Sequence, residues 1–288
     1  MPQHFVASPQ WEWYIVWYFF LGGLAGGAYV IGTLLRLFGD QRDAGVARLA
    51  FLISFPAVVV CPILLTLDLG RPSRFWHMLF DSQTFAPHLK YWSPMSVGAW
   101  VLLVFSGFAA ISFLEALSQG NGLARLLSGG FGKLFTAVGA LFGLSLAGYT
   151  GVLLSVTNQP IWSDTWALGG LFLASGLSIS AAVLALFAGW RADEGTTEAK
   201  LSRADGYFLL LEIALLVVVF VTLGAVGGSL VQGRLAPLWI LVAAGVLVPL
   251  AIRFRSSPER RASLILASAL VVLGGFALRV IVVFSAQL

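Results

Sequence analysis

ARLAFLISFPAVVVCPILLTLDLGRPSRFWHM, residues 47–78, decides the fold. Residues 47–69 are mostly apolar and carry charge only near the two ends, at Arg48 and Asp68. An α-helix rises about 1.5 Å per residue and the hydrocarbon core of a bilayer is about 30 Å thick, so about 20 apolar residues cross it. Residues 47–69 therefore read as a membrane span, in which Pro56 and Pro62 are tolerated as bends. The span ends in a carboxylate, and Gly-Arg-Pro-Ser-Arg follows at once. Gly70 and Pro72 are a helix stop. Asp68 asks for more, because a carboxylate at membrane depth is costly and marks a functional candidate by default.

Seven further runs have the same character: 13–36, 95–117, 132–155, 167–190, 206–229, 235–254 and 262–284, the seventh of the eight spans being the shortest. The whole chain of 288 residues is 59% hydrophobic and 10% charged, against about 25% charged in a soluble domain. The expected fold is an all-α integral membrane protein, a bundle of eight transmembrane helices in one membrane domain, with lipid as its solvent. The N-terminal stretch has no basic region and its apolar run is too long for a signal peptide, so the first helix is expected to be retained. The net charge of +4 sits in short loops, which is a topology signal and excludes nucleic acid as a partner. One cysteine, Cys61, excludes an internal disulfide, a Cys-ligated cluster and a zinc finger. The three histidines, His4, His77 and His88, all lie outside the spans, so a bis-His haem has no ligands. No metal and no haem is expected in this chain. No phosphate-loop, dinucleotide or G-x-S-x-G motif occurs.

Twelve of the 17 Lys and Arg residues fall in odd-numbered loops and adjacent helix ends, among them Arg36, Arg42, Arg48, Arg125, Arg191 and Arg255. Four fall in even-numbered loops, and Arg279 lies within the last span. The positive-inside rule then puts both termini on the outer (periplasmic) side of the cell's inner (cytoplasmic) membrane. The outer face gains the longest loop, roughly 70–94, and VTNQPIWSDTW (156–166).

The polar groups expected at membrane depth form an outer layer. Tyr14, Trp17 and Tyr18 share one face of the first helix, and Gly22 and Gly26 continue it inward. Tyr149 lies near the outer end of the fourth span with Ser145 one turn below. Asp68 and Arg279 match in depth, so they either form an ion pair or serve as a boundary cap and a snorkelling cation. Trp11, Trp13, Trp92 and Trp162 are assigned to the interfacial belt, whereas Tyr18 and Tyr149 lie deeper, where a phenol needs a partner. GGLAGG (22–27) reads first as a close-packing surface. In the inner half, Glu115 and Arg36 lie near helix ends. Glu212, about six residues into the sixth span, either belongs to a proton path or pairs with a loop arginine.

YFFLGGLAGGAY (18–29), LDLGRPSRFWHML (67–79), SPMSVGAW (93–100), GYTGVLLSVTNQPIW (148–162), the acid in LLEIA (210–214) and GGFALRV (274–280) occur in this order. The pattern resembles the NrfD/PsrC family, the haem-free eight-helix membrane subunits of complex iron–sulfur molybdoenzymes, over essentially the whole chain. The resemblance implies exchange of electrons between a membrane quinone or quinol (menaquinone or ubiquinone) and a four-cluster ferredoxin-like iron–sulfur subunit on the outer face. That subunit leads to a catalytic subunit, often one carrying molybdopterin. By resemblance Tyr149 is the tyrosine at the quinone and Asp68 the acidic residue near it. The first helix departs from the polysulfide reductase branch, with Ile15 and Tyr18 where Asn and His occur. On this reading Tyr149 and Tyr18 bond the ring oxygens, Asp68 takes a proton, and Arg279 or Arg71 tunes it. Gly22 leaves room for ring or tail, and Arg74, Phe75 and His77 dock the partner. A purely structural anchor and a small-solute or ion transporter are the alternatives. A transporter would place its polar groups near mid-membrane.

Overall fold

The eight apolar runs become eight long helices in the computed structural model, which describes residues 9–118, 127, 129–190, 195–254 and 260–287. They are α1 (Trp13–Phe38), α2 (Ala44–Asp68), α3 (Pro94–Leu117), α4 (Gly130–Ser155), α5 (Leu168–Trp190), α6 (Gly195–Leu223), α7 (Leu238–Phe254) and α8 (Arg260–Ser285). All eight are long and apolar enough to cross a membrane, and the chain is a multi-pass membrane protein. His4, Arg125, Arg191 and Arg255 lie outside the described residues. Both termini meet at one end of the bundle, the termini end, where the Trp11 amide donates to Gln287 Oε1 at 3.1 Å.

α1 is the hub. It packs on α2, α4 and α5 and touches α8. Its glycines make this possible. A Cβ on Gly26 would stand 2.3 Å from Gly143 O on α4, so only hydrogen lets the two backbones come that close. On the neighbouring face a Cβ on Gly27 would stand 2.7 Å from Gly176 O on α5. The packing reading of GGLAGG holds, and it also closes the glycine face. Gly22 is buried, and a Cβ there would meet Thr150 and Leu146 of α4 at 3.8 and 4.0 Å, in ordinary contact.

α5 and α8 complete the buried centre, while α3, α6 and α7 form the rim. The rim is wetted by lipid, as the exposure of Val221 (73%) on α6 and Ile240 (71%) on α7 requires. Pro56 and Pro62 lie inside α2 and Pro249 inside α7.

One belt assignment needs correction. Trp162 is fully buried: its Nε1 donates to Val282 O of α8 at 2.6 Å, and Trp11 packs on its ring at 4.8 Å. The turn that points it inward holds Ile161 at φ +74°, a costly conformation for a β-branched residue. The Ile161 amide is secured by Asp164 Oδ2 at 2.9 Å. Trp13 and Trp92 are exposed, as a belt needs.

Candidate functional site

SPMSVGAW is the start of α3. Ser93 is its N-cap, accepting from the Ser96 amide at 3.5 Å, and Pro94 takes the first turn, where a missing N–H costs nothing. This start places Gly98 one turn in, against α4. A Cβ on Gly98 would stand 2.0 Å from Tyr149 Cζ and 2.3 Å from its Oη. The tip of the Tyr149 phenol therefore rests on the α3 backbone, and glycine is required there. Trp100, in the same block, keeps its Nε1 buried without a partner among the described residues.

Tyr18 approaches from α1, fully buried, and its hydroxyl shares an electrostatic environment with Tyr149 and with Cys61 of α2. Neither phenol hydroxyl has a hydrogen-bond partner among the described residues. Helices α1 and α4 thus carry two unengaged phenol donors near the termini end, Tyr18 buried and Tyr149 half-buried.

The other expected members of the outer layer do not join them. Tyr14 and Trp17 are 38% and 45% exposed, and Trp17 packs on Phe276 of α8 at 4.6 Å. Ser145 sits on the exposed face of α4 and spends its hydroxyl on Leu141 O at 2.8 Å.

The expected Asp68–Arg279 pair is not formed. Asp68, half-buried at the end of α2, lies beside Glu12, the N-cap residue of α1, and no Lys or Arg stands within ion-pair distance of it among the described residues. Matching depth did not mean matching azimuth. A carboxylate there favours the N-terminus of α1.

Arg279 is buried at 0% exposure and reads main-chain carbonyls. It donates to Gly275 O at 2.7 Å, Phe19 O at 3.2 Å and Phe172 O at 3.3 Å, and to Ser175 Oγ at 3.2 Å. It ties α1, α5 and α8 together. The nearest acid in its electrostatic environment is buried Glu212 of α6, with which it forms no ion pair. The depth expected for Glu212 is corrected accordingly. α6 begins at Gly195, so Glu212 lies past its middle, not six residues from an end. Two turns below, buried Asp205 accepts from Ser178 Oγ at 2.5 Å. Two buried acids of α6, Glu212 and Asp205, therefore lie two turns apart, with Asp205 bonded across to α5, a constellation the sequence reading missed.

At the termini end, Pro72–Met78 forms a 3-10 helix. Arg71, Arg74, Phe75 and His77 are exposed on it, as a docking surface needs. The loop beyond is ordered: Trp76 stacks on Phe85 at 5.5 Å, and Asp81 Oδ1 accepts from the amides of Gln83 and Thr84 at 2.7 and 3.0 Å. Those N–H groups hold the Asp81 carboxyl below its usual range.

The family model described as polysulphide reductase, NrfD, matches residues 2–288. The chain belongs to the NrfD family. The protein NrfD of Escherichia coli (strain K12) is 28% identical over 277 residues, covering 85% of each chain. A polysulfide reductase component of Wolinella succinogenes is 28% identical over 306 residues, covering 96% of this chain and 94% of its own. A tetrathionate reductase component of Salmonella typhimurium is 32% identical over 164 residues, covering 54% and 44%. By their names, the latter two relatives are parts of reductases.

Proposed function

We propose that this chain is the quinone-reactive membrane subunit of a respiratory oxidoreductase complex. The observation that carries this reading is that the hydroxyls of Tyr18, buried on α1, and of Tyr149, half-buried on α4, have no hydrogen-bond partner among the described residues. A quinone head has two ring oxygens, and two phenol donors suit them. Bound quinol supplies two electrons and two protons. Tyr149 and Tyr18 hold the head through their hydroxyls. Asp68, with Glu12 beside it, is the carboxylate that receives protons at this end. The exposed Arg74–Phe75–His77 surface docks an iron–sulfur subunit on the periplasmic face of the inner membrane, and that subunit passes electrons to a catalytic subunit of the polysulfide or tetrathionate reductase kind. The test is binding of a quinone analogue to the purified complex. Saturable binding lost in a Tyr18→Phe/Tyr149→Phe double variant is expected. No binding at saturating analogue would leave a purely structural anchor.

A proton route through the bundle is a second component, favoured by Glu212 and Asp205. Ionisable groups buried at mid-membrane are functional candidates, so the polar groups no longer gather at one surface alone. On this reading Glu212 exchanges its proton by way of Asp205, and Arg279 sets its charge state. Glu212→Gln in the reconstituted complex should abolish proton uptake coupled to turnover. Uptake equal to wild type removes the route.

A further inference from the structure

At the end of the bundle opposite the termini, helices α1, α2 and α3 leave a cavity of about 470 Å³. α1 and α3 scarcely touch each other. Two polar bridges span the gap instead. Deeper in, Tyr29 Oη and Ser112 Oγ lie 2.8 Å apart. At the mouth, Arg36 grips Glu115 with two bonds of 2.7 and 2.8 Å and also donates to Leu127 O. Ala47, Phe51 and Ala116 form apolar walls, and Arg36, Arg48, Asp40 and Glu115 supply the charges.

Most of these charges are paired. Glu115 is matched by Arg36. Asp40 shares Lys200 of α6, at 3.1 Å, with buried Asp43, at 2.7 Å. Arg48 has no carboxylate within ion-pair distance among the described residues. Its Nε donates to Ala116 O at 2.5 Å, and its two terminal nitrogens have no partner among the described residues. A half-buried guanidinium fork with both ends unengaged, beside the apolar wall of Ala47, Phe51 and Ala116, is complementary to a phosphate carrying an acyl chain. Basic pockets between spanning helices hold anionic lipid head groups for this reason.

We propose that this cavity is a specific site for an anionic phospholipid, with the phosphate on Arg48 and one acyl chain against Ala47, Phe51 and Ala116. The lipid would fill the gap between α1 and α3 and brace the α1–α2–α3 corner at the end away from the Tyr18–Tyr149 pair.

The purified full-length chain, delipidated in neutral detergent, would be titrated with phosphatidylglycerol, phosphatidylcholine and inorganic phosphate, and bound molecules counted by native mass spectrometry. One saturable phosphatidylglycerol site is expected. Arg48→Gln should weaken it at least tenfold, and Ala44→Phe, at the exposed rim of the cavity, should block it without touching any bonded group. Arg42→Gln, exposed at the same end but outside the cavity, should leave it unchanged. Phosphatidylcholine binding as tightly as phosphatidylglycerol would overturn the proposal. So would equal effects of Arg42→Gln and Arg48→Gln, or unaltered binding in Ala44→Phe. Inorganic phosphate competing at equal affinity would make this a soluble-anion site and overturn the lipid assignment.

Discussion

Tyr149→Phe should cut quinol-driven turnover of the assembled complex by ~10²-fold or more, the scale on which a positioned proton-transfer or hydrogen-bonding group acts. The substitution leaves the packing alone. The Tyr149 ring lies on the α3 backbone at Gly98, and phenylalanine keeps that contact. The hydroxyl bonds nothing else among the described residues, so its loss breaks no structural bond. A defect must therefore come from the ligand. The companion change is Gly98→Ala, which keeps the hydroxyl but leaves it no place, since a Cβ would stand 2.3 Å from Oη. It should be at least as harmful as Tyr149→Phe. A soluble artificial donor that feeds the catalytic partner directly should support normal rates in both variants. Wild-type quinol activity in Tyr149→Phe would remove Tyr149 from the site. Loss of the artificial-donor rate as well would mean that assembly, not quinol chemistry, was damaged.

What the sequence made legible, and what it hid, follows from the kind of signal each feature carries. Spans are written in runs of apolar residues, and one face of a helix can be read from spacing, so eight helices and the packing role of GGLAGG were accessible. The pairing of side chains from different helices is not written in any run. Asp68 and Arg279 have the same depth, yet one faces Glu12 at the start of α1 and the other faces the α1–α5–α8 junction. The sixth span showed the other failure. Read by apolarity it begins at residue 206, so Asp205 fell just outside it and Glu212 seemed shallow. The helix instead runs back to Gly195 through a polar turn. That turn is held because Thr197 bonds buried Asp43 at 2.6 Å and Lys200 bonds it at 2.7 Å. Tertiary contacts extended the helix past the point where its composition stopped. The burial of Tyr18 and half-burial of Tyr149 were accessible from their place in apolar runs. Gly98 could not, since its role depends on a ring from another helix.

Arg279→Leu should be the most destabilising single change in the chain. The guanidinium holds carbonyls of three helices, and removing it strands those oxygens. Each buried polar group left unsatisfied costs about 1–3 kcal/mol. The protein should fall sharply in membrane yield and in melting temperature in detergent. Glu212→Leu alone should cost less, because Arg279 retains its carbonyl partners. The double variant decides what Arg279 is for. If the charge on Glu212 dominates, Arg279→Leu/Glu212→Leu should recover stability relative to Arg279→Leu, with a coupling of about 1–3 kcal/mol across the cycle. If carbonyl capture dominates, the double variant should be no better than Arg279→Leu. The first outcome makes the pair a charge site at mid-bundle, as a proton route through Glu212 requires. The second makes Arg279 a clamp, and Glu212 then has to be judged by its own titration. A neutral Arg279→Leu would contradict the geometry outright, since among the described residues no other side chain reaches Phe19 O, Phe172 O and Gly275 O together.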